Sequence, residues 1–127
     1  MTPTIITFRQ PAETLNLNQR WHWARKAKVT RTWRTAATWA AKAALTGQTL
    51  PLAPSLIAAQ IDVRGNLRRD PSNLWPTVKA VIDGLVDAEL WPDDNSEWVT
   101  TCEPTLRVVP RNRPLEISMT ITPRSTP

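Results

Sequence analysis

Between Ser55 and Arg64 the chain alternates, with Ile57, Ala59, Ile61 and Val63 on one face and Gln60, Asp62 and Arg64 on the other. A period of two is that of a half-buried β-strand. Leu115 to Thr122 alternates as cleanly, with Leu115, Ile117, Met119 and Ile121 inward; Ile5 to Phe8 and Trp98 to Cys102 read as shorter strands. Two stretches carry the helical period instead. From Thr30 to Leu45, Trp33, Ala36, Ala37, Ala40 and Ala44 recur on one face, small enough to bring a backbone close to a sheet, and Gly47 stops the run. The opposite stripe, Arg31, Arg34, Thr38 and Lys42, fits a solvated face as well as it fits a nucleic-acid contact. In the second helix Val78, Val81, Ile82 and Leu85 follow i, i+3, i+4, i+7. The predicted architecture is a single α/β domain over residues 1–127, a small mixed β-sheet with two helices in the order β-α-β-α-β-β, with residues 123–127 a frayed tail.

The start of the second helix is shaped by prolines. Pro76 disfavours an α conformation at Trp75 and Pro71 does the same at Asp70, so Asp70 is expected to be extended and the helix to begin at about Pro76 or Thr77. Running to Ala88, such a helix separates its ends by ~18 Å at 1.5 Å per residue. Asp70 and Asp94 therefore meet only if the connection from Ala88 to Asp94 folds back along the helix.

Length and composition narrow the class. A chain of 127 residues fits one domain that buries roughly two thirds of its unfolded surface. No apolar run is long enough for a membrane span and no leader pattern is visible, so a cytoplasmic protein is expected. The lone Cys102 has no disulfide partner and no neighbours at zinc-ligand spacing, and reads as a small buried strand residue. Charge is more telling. The formal net charge is +5, no acidic residue lies between Thr14 and Ile61, and six acids crowd between Asp83 and Glu97. Separated signs point to a basic surface for an anionic polymer and a focused acidic site for a cation.

The stretch RRDPSNLWPTVKAVIDGLVDAELWPDD, Arg68 to Asp94, carries a resemblance. Arg69-Asp70, Asn73-Leu74, Lys79-Ala80, Asp83, Leu85, Ala88, Trp91 and Asp93-Asp94 together resemble the RusA family of Holliday junction resolvases, and LEISMTIT and Asn18-Gln19-Arg20 match more loosely. The resemblance implies a homodimeric, Mg2+-dependent endonuclease, with Mn2+ as a substitute, that cuts four-way or otherwise branched DNA; the bias toward Arg over Lys, with much Ala and Thr, is compatible with a GC-rich bacterium or its phage. Asp70, Asp94 and Lys79 are then the catalytic candidates. Ser72 stands where the family carries a second aspartate, and roughly three extra residues, Trp75 to Thr77, precede the helix. The metal ligands would be Asp70 and Asp94, joined by Asp93 or the Asn73 side chain, because Mg2+ is often held by only one or two protein carboxylates.

A carboxylate-bound Mg2+ supplies the water activation and charge stabilisation that phosphodiester hydrolysis needs. Spacing alone favours the plainer reading, with Lys79 pairing with Asp83 at i, i+4 and PDD as a polar turn, whereas the resemblance favours the site. For DNA contacts the candidates are Arg20, Arg25, Lys26, Lys28, Arg68 and Arg69. Trp21 or Trp23 would stack on unpaired bases or cap the core, and the single histidine, His22, reads as an exposed loop residue. The competing function is a catalytically silent junction-binding protein of the same fold; an RNA-binding module lacks its strand or GXXG motif.

Overall fold

The computed structural model describes residues 2–65 and 70–124. Its sheet is mixed. Strand β1 (Thr4–Arg9) pairs antiparallel with β5 (Glu116–Pro123), and β5 pairs antiparallel with β2 (Ser55–Val63). The far edge of β2 carries two short parallel partners, β3 (Val99–Thr101) and β4 (Thr105–Val108). The fold class is the expected one, with β4 as an additional strand. Its four residues expose two side chains and leave two half-buried, so no alternation announces it. Pro104, which has no amide hydrogen to give, sits in the break between the two edge pieces. Cys102, just past β3, is half-buried rather than buried, and its amide donates to the Ile57 carbonyl.

Inward residues of the sheet and of both helices form one core. Ile57, Ile61, Ile117, Met119 and Ile121 meet Trp33, Val78, Val81, Leu85 and Trp91, each at most 2% exposed. Asp62, on the polar face of β2, is buried as well. Its carboxylate accepts a bidentate pair from Arg107 on β4 (2.8 and 3.0 Å) and the Glu116 amide at the start of β5 (3.0 Å). Burial pushes this carboxyl up, but the Arg107 guanidinium and the Glu116 amide outweigh it and hold it below the usual carboxylate range. At the other end, β5 runs to Pro123 and Arg124, in the segment expected to fray, donates its amide to the Pro54 carbonyl.

Helix α1 (Trp23–Ala44) begins seven residues before the expected Thr30. The His22 side chain caps it, with Nδ1 accepting from the Ala24 amide at 3.2 Å. The early turns escaped the hydrophobic pattern because residues 22–28 are all exposed, so there is no apolar period to read. The packed face is also shifted. Trp33, Ala37 and Ala41 are buried, Ala36 and Ala40 are half-buried, and Ala44 is exposed.

That face meets α2 (Trp75–Asp87) more than the sheet. At the crossing a Cβ on Gly84 would lie 2.3 Å from the Arg34 carbonyl oxygen and 2.8 Å from the Ala37 Cβ. Two residues assigned above to a solvent or DNA stripe turn instead to α2. Thr38 Oγ1 donates to the Gly84 carbonyl at 2.8 Å, and Arg34 forks onto Asp87 at 2.5 and 2.9 Å. Gly84→Ala is expected to force the helices apart and lower stability by about 1–3 kcal/mol, read as an earlier urea midpoint.

Candidate functional site

Asp70 has φ −87° and ψ 113°, the extended state that Pro71 favours. It leads into a 3-10 turn, Pro71–Leu74, which runs straight into α2, so Trp75 takes helical angles despite the following proline. The Trp75 amide bonds to the Ser72 carbonyl and Leu74 is buried; these hold the turn closed and override the local bias. Thr77 ties this segment to the loop after β1. It is fully buried, and its hydroxyl accepts from the Leu15 amide at 2.8 Å and donates to the Leu15 carbonyl at 2.6 Å. The Asn73 carbonyl takes the Leu17 amide at 2.9 Å.

The C-terminus of α2 supplies the reversal on which the site depends. Ala88 ends the helix and Glu89 takes φ 68°, a left-handed residue at a position usually given to glycine. The Glu89 amide bonds to the Val86 carbonyl (2.8 Å) and the Leu90 amide to the Leu85 carbonyl (3.2 Å), the paired bonds of a Schellman motif. Leu90 and Trp91 then enter the core, where the Trp91 indole N–H lies 3.3 Å from both the Ala53 carbonyl and Ser55 Oγ. The chain returns along the helix. Asp94 reaches Lys79, on the second turn of α2, in a close ion pair.

Lys79 is held from two sides, by Asp94 and by Asp83 Oδ1 at 2.9 Å. The i, i+4 pairing and the contact to the second acidic pair therefore coexist. The Lys79 ammonium holds the Asp94 carboxyl below its usual range, and the Asp94 carboxylate raises Lys79. Asp93 folds into its own loop, accepting from the Asp94 amide (2.7 Å) and the Asn95 side chain (3.2 Å). At the other end of the segment, Asp70 Oδ1 accepts from the Ser72 hydroxyl (2.7 Å) and amide (3.0 Å), which lower its pKa in that order.

No contact joins Asp70 to Asp94 among the described residues, and no group of three or more His, Cys, Asp or Glu there is arranged to hold a metal ion. The donors are hard carboxylate oxygens, the right kind for Mg2+, but Lys79 balances Asp94 and Ser72 satisfies Asp70. Such a set fits an ion that keeps most of its ligands as water and phosphate rather than one caged by protein.

The cationic candidates divide. Arg68 and Arg69 lie outside the described residues. Arg25 is engaged, pairing with Glu13 at 2.8 Å and lying over the Trp21 ring at 4.1 Å. Arg20, Lys26 and Lys28 are exposed, and their side chains have no partner among the described residues. Trp21 packs against the core, whereas Trp23 is 76% exposed. Asp83 and Asp87 were not among the candidates, yet they complete the polar stripe of α2; their i, i+4, i+8 spacing from Lys79 was the available signal. No family model matches the chain. No curated protein matches it either. Among the described residues no helix is long and apolar enough to cross a membrane.

Glu89→Gly should relieve the left-handed strain and raise stability by about 0.5–1 kcal/mol in urea unfolding. The ion pair gives a pH signature. Asp94 titrates below its unfolded value, so its contribution is present above about pH 4 and is lost as pH falls through the depressed folded value; Lys79, raised, loses its share only as pH climbs past about 10.4. With Lys79 59% exposed the pair is well screened. Asp94→Asn should cost about 0.5 kcal/mol at neutral pH, and the difference from wild type should shrink as pH falls through the depressed folded value and vanish once the carboxyl is protonated in both states.

Proposed function

We propose that this protein is a metal-dependent endonuclease of the RusA type, acting on four-way or otherwise branched DNA in the cytoplasm of a bacterium or in its phage-infected host. The observation that carries the reading is the return of Asp94 to Lys79. It brings a carboxylate from beyond the C-terminus of α2 back to a lysine on the helix's second turn, while Asp70 caps the 3-10 turn that leads into the same helix. Arg34 extends this surface to α1, because it binds Asp87 and feels Asp83 as well.

In this reading Asp70 and Asp94 would hold Mg2+, or Mn2+ in its place, with Asp93 or the Asn73 side chain assisting. When bound, the ion lowers the pKa of its water and draws charge from the scissile phosphate. Lys79 supplies the protein's own part. Its ammonium is held by Asp83 and Asp94, and an arriving phosphate competes with those carboxylates for it, which orients the anion and offsets negative charge as the bond to the leaving oxygen breaks. Arg20, Lys26 and Lys28 contribute phosphate contacts that weaken with salt. Paired incision of a two-fold symmetric junction calls for two such sites related by the same axis, hence a homodimer.

One observation favours a second reading, a junction-binding protein without catalysis. Both principal carboxylates already have partners in the protein, Asp70 in Ser72 and Asp94 in Lys79. Incubating the protein with a labelled synthetic four-way junction in Mg2+ or Mn2+ separates the two. We expect paired symmetric nicks on the junction, none on a linear duplex, and none from Asp70→Asn or Asp94→Asn. Tight junction binding with no cutting in either metal would establish the silent protein instead.

A further inference from the structure

The first buried residue of α1 is Trp33, so the helix runs for ten residues, Trp23 to Thr32, without burying one. At 1.5 Å per residue that is about 15 Å of helix whose apolar support is limited to half-buried positions such as Val29. Its charge is also placed against its own stability. Arg25, Lys26 and Lys28 occupy the first two turns and no acid lies in the first, although a helix N-terminus favours anions. Lys28 and Arg31, three residues apart, repel.

On this segment Trp23, Ala27, Thr30 and Arg34 fall on one line, with Lys26 on one side and Arg31 on the other, around a shallow depression of about 490 Å3. The floor is small and the flanks are cationic. At its open end the Trp23 ring is 76% exposed, with the His22 ring beside it at 5.4 Å and a 35° tilt. Lys26 and Arg31 have no side-chain partner among the described residues, and Arg34 closes the far end through its fork onto Asp87.

We propose that this ridge is a stacking platform for an unpaired nucleic-acid strand, with a base on Trp23 and its flanking phosphates on Lys26 and Arg31. Charge complementarity selects a polyanion, since Lys26 and Arg31, on the two sides of the depression, have no acidic partner among the described residues. The aromatic selects an unpaired strand, because a base still in a duplex has no free face to offer. A protein partner is disfavoured by the lysine and the absence of a second large apolar side chain in the depression. A membrane surface would want an apolar stripe along this line, where Trp23 stands alone. The proposal rests on the functional reading above only in that the partner is nucleic acid, and it needs neither metal nor cutting.

The test uses the full chain in EDTA, with fluorescence anisotropy on a labelled oligothymidylate and on a blunt duplex of equal length at one salt concentration. Trp23→Ala should weaken oligothymidylate binding roughly fivefold or more and change duplex binding less than twofold, while Trp23→Phe retains most of the affinity. A 2-aminopurine in the oligonucleotide should be quenched by wild type and not by Trp23→Ala. Circular dichroism melting checks that the variants fold, as an exposed side chain predicts. The proposal is overturned if wild type binds no oligonucleotide, or if Trp23→Ala binds both probes as wild type does. It is likewise overturned if the substitution leaves oligonucleotide affinity intact but turns a dimer into a monomer in light scattering, or releases the protein from anionic vesicles. Should the junction remain uncut while the Trp23 dependence holds, the nuclease reading falls and the platform stands.

Discussion

Gly84 leaves no space for a side chain, and much of the molecule's surface chemistry follows from that contact. The two helices meet through Ala37 and Gly84, close enough for Thr38 to bond to a backbone carbonyl of the neighbouring helix. With Val78, Val81, Ile82 and Leu85 committed to the core and Ala80 and Gly84 buried as well, the exposed residues of α2 are Lys79 and Asp87, and half-buried Asp83 joins them in a polar stripe. The close approach sets one end of that stripe against α1, where Arg34 reaches Asp87. A wider crossing would leave the same sequence with two separate charged helices in place of one continuous polar surface.

Along that surface like charges are kept apart by cations. Asp83 and Asp94 share Lys79, and Asp87 has Arg34. Carboxylates so close would otherwise raise one another's pKa, whereas Asp87 and Asp94 are both held below the usual range, by Arg34 and Lys79 respectively. The arrangement depends on the tight reversal after Ala88. Burial of Leu90 and Trp91 holds that reversal closed even though Glu89, not glycine, occupies the left-handed position.

The periodic segments were legible because each has one buried face: β2, β5 and α2 carry patterns that their packing explains directly. What escaped the pattern lacks such a face. Strand β4 is four residues between prolines, and the outer turns of α1 touch too little for a hydrophobic period to appear. The start of α2 was misplaced because a local proline bias yields to a 3-10 turn whose Leu74 is buried. In the candidate site, the residue types and the extended state of Asp70 could be read, and the fold-back of Asp94 could be posed as a condition. Meeting that condition required the bonds of Glu89 and Leu90, which no pattern of apolar residues encodes. The Arg34 fork onto Asp87, between residues 53 apart, is a tertiary fact, whereas the Ser72 hydroxyl on Asp70 is a local turn contact that an apolar pattern does not register either.

The outer turns of α1 can be understood by asking what keeps them helical. Burial contributes little there, so local terms carry the segment: Ala24, Arg25, Lys26, Ala27 and Lys28 are all good helix formers, and His22 satisfies an otherwise unpaired amide. A short stretch with only these supports is marginal, and its uncompensated cations make it more so. The rest of α1, fixed by Trp33, Ala37 and Ala41, acts as the nucleus from which these turns propagate, which lowers the cost of extending them into solvent. The result is a firm projection that holds an exposed indole and unpaired cations beside the acidic stripe of α2, with Arg34 belonging to both. In an acid-free stretch reaching from Thr14 to Ile61, Arg25 and Arg34 take their acids from outside it, Glu13 and Asp87, while Lys26, Lys28 and Arg31 have no side-chain partner among the described residues.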